Sequence, residues 1–369
     1  IGLNSSGFGS VTASGASAMA LGGSYASGDN SLAAAIASTL ATYGATAANA
    51  VAIGKQAKAT ANSAVAIGDN SKATEVDGVA LGDGSWARGD HTFAVFGDAQ
   101  TSSTNAIAIG VSSVASGGNA SALGPDAYAL AASSISLGKS RASGAASLAA
   151  AITLNTSSYG ASGYGSVAIG HYSRAIASSG IAIGSAFARA DGGQSVAIGR
   201  NVYAQKNNSV ALGNQALSNV YGKLAYSGNN FAATGDSQLG ISVLRQQTAD
   251  ATPKTMVTVA TGSSPSASNQ VILPNNSAYA FHGTIVARQQ ASAGTASAAW
   301  KIEGLIRREG SAGTTVLVNS ATTVLDNTPS WGMALTADTT NGGLAITVTG
   351  AASTNILWVS TIHTSEVTY

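Results

Sequence analysis

The chain has 369 residues, of which 9% are charged and 45 are Gly, and its formal net charge is +1. Globular chains carry roughly 25% charged residues and about 7% Gly, so this composition excludes the surface of an ordinary soluble enzyme and favours a fibrous or solenoid protein of small, closely packed residues. The net charge is close to zero, so the sequence offers no basic stripe that would bind nucleic acid. The lack of Cys excludes disulfides and thiolate metal sites. No apolar run is long enough for membrane insertion as a helix.

The first residues, Ile-Gly-Leu-Asn, contain neither an initiating Met nor the basic and apolar regions of a signal peptide. We therefore expect the chain to be the distal part of a longer polypeptide. Its attachment region, which would join other fibre or baseplate proteins, would precede residue 1.

From residue 1 to about residue 220, a short apolar phrase ending in Gly recurs, as in Ser-Val-Ala-Ile-Gly at 195–199. The phrase returns every 13 to 15 residues, except for two intervals of 32 residues. Large and small residues alternate within it, which is typical of a strand, and the Gly permits a tight corner with positive φ. The repeat glycines are Gly22, Gly54, Gly68, Gly82, Gly97, Gly110, Gly124, Gly138, Gly170, Gly184, Gly199 and Gly213.

The two long intervals each contain the hexapeptide Ser-Leu-Ala-Ala-Ala-Ile, at 31–36 and 147–152. Spacing predicts that Ala35 and Ala151 take the place of a repeat Gly, and that the coil after each is longer by about five residues. Tyr43 and Tyr159 occupy equivalent places in the two lengthened coils, where we expect them to fill the bulge. A whole block of coils has thus been duplicated.

Each unit of about 14 residues holds two short strands, which predicts one coil of a parallel β-solenoid. The regular Gly, the β-branched residues and the turn residues between phrases argue against helix. So short a coil can enclose only Ala, Ser and Gly, so Val and Ile must face outward in a continuous stripe. Such a stripe needs a partner, and we expect it to lie at an assembly axis, most simply the three-fold axis of a homotrimer. About fifteen coils would give a shaft near 70 Å long.

Three phrases carry a family resemblance: Asn-Ser-Val-Ala-Leu-Gly at 208–213, Gln-Ser-Val-Ala-Ile-Gly at 194–199 and Asn-Ser-Ala-Val-Ala-Ile-Gly at 62–68. They closely resemble the head repeat of trimeric autotransporter adhesins, the YadA-like head. The resemblance covers roughly residues 1–220. It implies a left-handed parallel β-roll that is obligately trimeric and serves as a binding surface.

After a junction at 221–240 rich in Gly, Asn and Ser, residues 241–369 predict a C-terminal antiparallel β-sandwich that forms a tip domain. Hairpin connections are expected at 309–313 and 340–343, the second because it contains Asn341-Gly342. Several short strands at this spacing favour a sandwich. Strands are predicted at 278–289, 299–308, 314–318, 331–336, 344–349 and 355–363.

The same region resembles a C-terminal β-domain of bacteriophage tail fibres, in the segments 269–289, 298–318 and 342–367. That resemblance implies a virion fibre whose distal tip contacts the host. Residues 221–369 show neither the coiled-coil stalk nor the membrane-anchor strands that follow the head in autotransporter adhesins.

Trp86, Arg88, Asp90 and His91 form an unusual cluster of polar and aromatic residues on the roll, and we predict that they contact a binding partner. Trp300, Trp331 and Trp358 could stack on sugars, but their alternating surroundings favour burial as core anchors. His171 and His282 show no metal-ligand spacing and are interpreted as ordinary surface or strand residues.

Two catalytic patterns are interpreted as coincidences. Gly235-Asp236-Ser237 and the Gln-Leu after it match the phrase around the nucleophile of GDSL hydrolases, but no Asp lies close before His363, the candidate base. Asp69, Asp83 and Asp98 each follow a repeat Gly, and stacked carboxylates could hold Ca²⁺ or act as a glycosidase pair. The mixed residues elsewhere in that column favour a solvated corner, so we predict no catalytic, metal or cofactor site.

The sequence therefore predicts a non-enzymatic structural and adhesive fibre, located on a phage virion, that binds a glycan or protein on the host cell surface. A bacterial surface adhesin head is the alternative. A polysaccharide-degrading tailspike is a third hypothesis, and it would require paired carboxylates in a groove.

Overall fold

The computed structural model describes residues 11–36, 42–151, 158–291 and 296–369. The chain forms two compact units, Ile1–Ser179 and Gly180–Tyr369. The described residues form β-strands, turns and one 3-10 turn at Ala312–Thr314, with no α-helix among them. Within those ranges, accordingly, no helix could cross a membrane. The all-β class predicted from the sequence is confirmed.

The first unit is a β-solenoid whose coils each contribute one strand to each of two parallel ladders. Equivalent residues of successive coils lie opposite one another, as Val65 and Val79 do in one ladder and Lys58 and Lys72 in the other. The strands of the first ladder are Met19–Leu21, Leu32–Ala34, Val51–Ile53, Val65–Ile67, Val79–Leu81, Phe93–Val95, Ile107–Ile109, Ser121–Leu123, Ile135–Leu137, Leu148–Ala150 and Val167–Ile169. Those of the second are Thr12–Ala13, Tyr25–Ala26, Gly44–Ala45, Lys58–Ala59, Lys72–Ala73, Trp86–Ala87, Gln100–Thr101, Val114–Ala115, Tyr128–Ala129, Arg141–Ala142, Gly160–Ala161 and Arg174–Ala175.

The interior of these coils is a column of Ala side chains. Ala66, Ala80 and Ala94 stand opposite one another in the first ladder and are fully buried. Buried Ser residues complete the filling, and several satisfy their hydroxyls locally: Ser71 Oγ donates to the Gly68 carbonyl oxygen at 3.0 Å and Ser85 Oγ to that of Gly82 at 2.9 Å. The coil is therefore as narrow as the sequence predicts.

The repeat Gly forms the corner after eight of the eleven strands of the first ladder. Gly68 has φ of 130°, and a Cβ there would lie 2.7 Å from the carbonyl carbon of Gly82 in the next coil. Both the backbone conformation and the close stacking therefore require Gly. Ala35 and Ala151 adopt φ of 55° and 56°, which confirms that they occupy corner positions.

Two predicted Gly corners differ from the sequence prediction: Gly97 and, in the second unit, Gly184, which lies within the strand Ile181–Ala186 and lacks a positive φ. Phe96, with φ of 75°, occupies the corner that the repeat assigned to Gly97, and its amide donates to the Leu81 carbonyl oxygen at 2.8 Å. A Cβ on Gly82 would lie 3.0 Å from the Phe96 Cα, so Phe96 stacks directly on Gly82. Gly97 lies one position beyond the corner, because the interval from Gly82 to Phe96 keeps the period of the neighbouring coils.

The lengthened coils are also present. Ala26 pairs with Ala45, and Ala142 with Ala161, so each of these coils is longer than its neighbours. Tyr43 packs against the Ala column, and the Tyr159 ring lies 4.9 Å from that of Tyr172. Residues 37–41 and 152–157 of these coils lie outside the described residues.

The second unit begins with further coils of the same kind. Val196, Val210 and Leu224 stand opposite one another in a parallel ladder. Its strands are Ile181–Ala186, Val196–Arg200, Val210–Asn214 and Leu224–Ser227, and the other ladder contains Arg189–Ala190, Tyr203–Ala204 and Leu217–Ser218. Leu224–Ser227 therefore extends this ladder into the segment predicted to be a junction.

The rest of the second unit is antiparallel. Ser237–Thr248 pairs with the last parallel strand, Leu224–Ser227, and also with the C-terminal strand Ile356–Thr368. A five-stranded sheet follows in the order Ser237–Thr248, Ile356–Thr368, Ser277–Gln289, Ser297–Arg308 and Val316–Asp326. A four-stranded sheet has Gly343–Thr349 paired with Gly332–Asp338 on one side and with Lys254–Thr255 and Val271–Ile272 on the other. The six predicted strands and both predicted hairpin connections are thus present.

Both antiparallel sheets contribute to one apolar core. Leu244, Ile285 and Ile302 come from the larger sheet, and Ile346 and Val348 from the smaller. The three tryptophans of this region join that core with exposures of 5% or less, which confirms their prediction as buried anchors: Trp300, Trp331 and Trp358.

A buried ion pair joins the last coil to the C-terminal strand. Lys223 Nζ lies 2.7 Å from Glu366 Oε2, and the two side chains are 4% and 1% exposed. Gln238 Nε2 donates to the same carboxylate at 2.7 Å, and Thr364 Oγ1 to its other oxygen at 2.6 Å. Burial, with the Glu366 charge and hydrogen bond, raises the pKa of Tyr279 well above its ordinary value.

Candidate functional site

The first candidate surface is the outward stripe of the coils. In each strand of the first ladder, the central small residue points inward and the two residues beside it point outward, and most of those outward residues are Val, Ile, Leu or Phe. Ile67, Phe93, Ile107 and Ile135 remain 37 to 42% exposed, although each stands within a regular hydrogen-bonded ladder. An apolar ladder of this length on a water-facing surface marks an interaction site.

A second candidate surface lies on the other ladder, around Trp86. The Arg88 guanidinium carbon is 4.2 Å from the centre of the Trp86 ring and Lys72 Nζ is 4.8 Å from it. Arg88 also donates to Gln100 Oε1 at 3.0 Å. Two cations in cation–π contact stabilise this orientation of the indole, which makes this a polar-aromatic platform.

Asp90 and His91, the other two predicted contact residues, have different neighbours. Asp90 Oδ1 accepts from the backbone amide of Val76 at 3.3 Å, and His91 Nε2 lies 3.3 Å from Asp77 Oδ2. They therefore belong to the corner beside Trp86. Asp90, Arg88 and Glu75 line one open groove of about 460 Å³ there. The structure joins Trp86 to Arg88 and brings Asp90 to the groove beside them, whereas His91 faces Asp77 and does not line that groove.

The GDSL-like phrase is not arranged for hydrolysis. The Asp236 carboxylate accepts from the backbone amides of Phe231, Ala232 and Ala233 at 2.6 to 2.9 Å. Burial opposes its ionisation, but these hydrogen bonds outweigh burial and lower the pKa of Asp236. Ser237 pairs with Val367, whereas His363 pairs with Ile241, four residues after Ser237 on the same strand. That is about 13 Å along a strand, which is beyond hydrogen-bond reach of Ser237.

The predicted column of carboxylates is also interrupted. Asp69 and Asp83 occupy equivalent positions, but the shift at Phe96 moves Asp98 into the next column, opposite Gly84. Within the described ranges, no group of three or more His, Asp or Glu side chains of one chain could hold a metal ion.

Two arrangements in the second unit were not foreseen from the sequence. One is the buried pair Lys223 and Glu366. The other is a stack of His282 on His363, whose ring centres lie 5.2 Å apart with an angle of 8° between the ring planes. Both join residues that are far apart in the sequence, so no local spacing could reveal them.

Comparisons with known proteins agree with the solenoid. The family model described as YadA head domain repeat matches residues 45–71, 73–95, 102–127, 115–140, 161–186 and 190–216. No curated protein sequence matches the chain.

Two solved structures show a distant likeness. One is a tailspike protein, gp49, of Acinetobacter baumannii bacteriophage Fri1, a capsular polysaccharide depolymerase: identity is 11%, the match covers 91% of this chain and 47% of that one, and the TM-score is 0.25. The other is the tailspike protein of Acinetobacter phage vB_ApiP_P1, with 10% identity, 83% and 51% coverage, and a TM-score of 0.18. The chain spans about half the length of either structure.

These TM-scores are too low to carry an argument about fold or activity. What the comparisons establish is that the segments between residues 45 and 216 contain YadA head domain repeats.

Proposed function

We propose that the chain is a structural and adhesive fibre protein, non-enzymatic, whose left-handed β-rolls assemble as a homotrimer through their outward apolar stripes. The observation that carries the proposal is the exposed ladder of Ile67, Ile107 and its equivalents over an interior of Ala. Because the coil interior is too narrow to take these side chains, only another chain can remove them from water. Repeats of the YadA head type in this region support the same conclusion.

With the first ladder at a trimer axis, the second ladder faces outward. The Trp86 and Arg88 platform would then occur three times around the fibre, with the groove at Arg88 and Asp90 beside each copy. Three weak contacts on one rigid body bind far more tightly than one, because the second and third are intramolecular. Adhesion to a glycan or protein on the host cell surface is therefore the proposed mechanism.

We place this fibre at the distal end of a phage tail, with residues 241–369 as its tip. The support is the resemblance of the C-terminal segments to tail-fibre β-domains. The second candidate is the head of a bacterial surface adhesin, which the YadA head repeats favour directly. A polysaccharide-degrading spike would instead release reducing ends from host capsule, and that assay separates it from both.

The test is adhesion of the fluorescently labelled full chain to host cells. Replacing Trp86→Ala and Arg88→Ala should weaken binding about tenfold or more, because three contacts are lost at once. The matched control is Arg189→Ala with Tyr203→Ala, a second cation–π pair at 5.2 Å on an equivalent ladder. Equal adhesion of both variants at unchanged solution mass would contradict a role for the Trp86 platform.

A further inference from the structure

The outward stripe of the second unit continues onto the five-stranded sheet. Val210 stands opposite Leu224, and Leu224 opposite Ile241, where the ladder changes from parallel to antiparallel. Ile241 then stands opposite His363, and His363 opposite His282. Directly paired residues share one face of a sheet, so the two histidines occupy the same column as the apolar residues of the coils.

Both histidines point away from the core. Their strand neighbours Ile362, Thr364 and Phe281 are buried, whereas His282 is exposed and His363 half-buried. The two rings are almost parallel, with centres 5.2 Å apart, which is close to the spacing between neighbouring strands. They thus present two imidazoles at adjacent levels of one outward column.

The surface beside this column suits contact with another copy of the chain. The adjacent column runs through Tyr226, Leu239, Ser365, Ala280 and Leu305. Its large residues Tyr226, Leu239 and Leu305 are 52%, 38% and 38% exposed. Between them, Ala280 and Ser365 leave a hollow of about 620 Å³. Large apolar side chains around a floor of small ones form a face that can interlock with a second copy.

We propose that three copies of the chain bring His282 and His363 together at the assembly axis and bind a divalent transition-metal ion there. The proposal rests on the trimer of the proposed function. The strands of a solenoid stack along its long axis, so a column that lies on the trimer axis in the coils remains near it in the sheet that continues them. The stripe and the histidine pair are therefore one surface.

The chemistry favours a transition metal over Ca²⁺ or Mg²⁺. Imidazole nitrogen suits Zn²⁺, Ni²⁺, Cu²⁺ and Fe²⁺, whereas Ca²⁺ and Mg²⁺ take oxygen ligands. One chain supplies two imidazoles, too few for a closed site, and three chains supply six. Glu303 stands opposite His282, and its carboxylate lies 3.3 Å from Lys301 Nζ in an exposed ion pair. The site is incomplete without the partner copies.

The experiment uses the full chain without an affinity tag, freed of metal with a chelator and then titrated with Co²⁺. Solution mass, retained cobalt and the visible absorption of Co²⁺ are measured on the same sample. The variants are His282→Gln and His363→Gln, and the matched control is His171→Gln, a histidine on a corner of the coils. Intact folding is checked by tryptophan fluorescence, because neither histidine belongs to the apolar core.

We expect at least one Co²⁺ per trimer, an affinity at least tenfold lower in both variants, and no change in the control. A trimer that retains no cobalt, or whose cobalt is unaffected by both substitutions, overturns the metal site and leaves the proposed function standing. Cobalt binding to a monomer would overturn the axial position of the site, and a monomeric chain in itself contradicts the proposed trimer.

Discussion

Removing the buried cation at the end of the solenoid should destabilise the second unit strongly. Lys223→Met leaves the Glu366 carboxylate, 1% exposed, with neutral donors alone, from Gln238, Thr364 and Tyr279. An uncompensated buried charge costs about 3 to 5 kcal/mol. In a unit of this size, 1 kcal/mol shifts the melting temperature by roughly 2 to 4 °C, so we expect a decrease of about 6 to 20 °C.

Thermal unfolding followed by tryptophan fluorescence measures this effect. Trp86→Phe in every sample restricts the signal to Trp300, Trp331 and Trp358, which lie in the core of the second unit. The matched control is Lys301→Met, whose partner Glu303 lies 3.3 Å away and where both side chains are 54% exposed. Exposed pairs contribute about 1 kcal/mol or less.

The double variant Lys223→Met with Glu366→Gln completes the cycle. It removes both charges and should recover much of the lost stability, because a neutral amide costs less to bury than an unpaired carboxylate. If Lys223→Met destabilises no more than Lys301→Met, the reasoning from burial is refuted.

Three further predictions concern the coils and the buried phenol. Gly68→Ala should lower the melting temperature of the first unit, because the φ of Gly68 is 130° and the new Cβ would lie 2.7 Å from the Gly82 carbonyl carbon. A melting curve equal to that of the parent chain would contradict this. The reverse change, Ala151→Gly, should stabilise by about 1 kcal/mol or less, since Ala at φ of 56° is strained, and any loss of stability would argue against that strain. The raised pKa of Tyr279 means that the folded state holds this proton more tightly than the unfolded state. The stabilisation from this proton is complete below the unfolded pKa near 10, and it is lost as pH rises from there through the higher folded pKa. Urea unfolding should therefore show a smaller loss of stability at alkaline pH in Tyr279→Phe than in the parent chain. An equal loss in both would contradict the role of Tyr279.

The coils could be predicted because their physics is local. A narrow interior admits only Ala and Ser, a corner with positive φ favours Gly, and both constraints recur with each coil, so the alternation in the phrases is sufficient. Even the exceptions Ala35 and Ala151 follow from spacing. The Gly pattern does not reveal the shift at Phe96, because the ladder keeps the residue interval and accepts Phe at positive φ.

The C-terminal sheets were predicted less completely, because their strands pair over long distances. Ser237–Thr248 begins inside a segment whose Gly, Asn and Ser favour a loop, yet it forms a full strand because Ile356–Thr368 pairs along its whole length. The same long-range pairing creates the stack of His282 on His363 and buries Glu366 beside Lys223. No spacing in the sequence marks such contacts, so only the register of the sheet reveals them.

The solution mass of the purified, undenatured full chain tests the central claim most directly. We expect the mass of three copies of a chain of 36.0 kDa. Ile107→Lys should weaken the assembly, because it places a charge in the outward stripe. Gln100→Lys, on the opposite ladder, should leave the assembly unchanged. A monomeric, soluble chain would contradict the account, because the exposed ladder of Ile67, Phe93 and Ile107 would then have no partner.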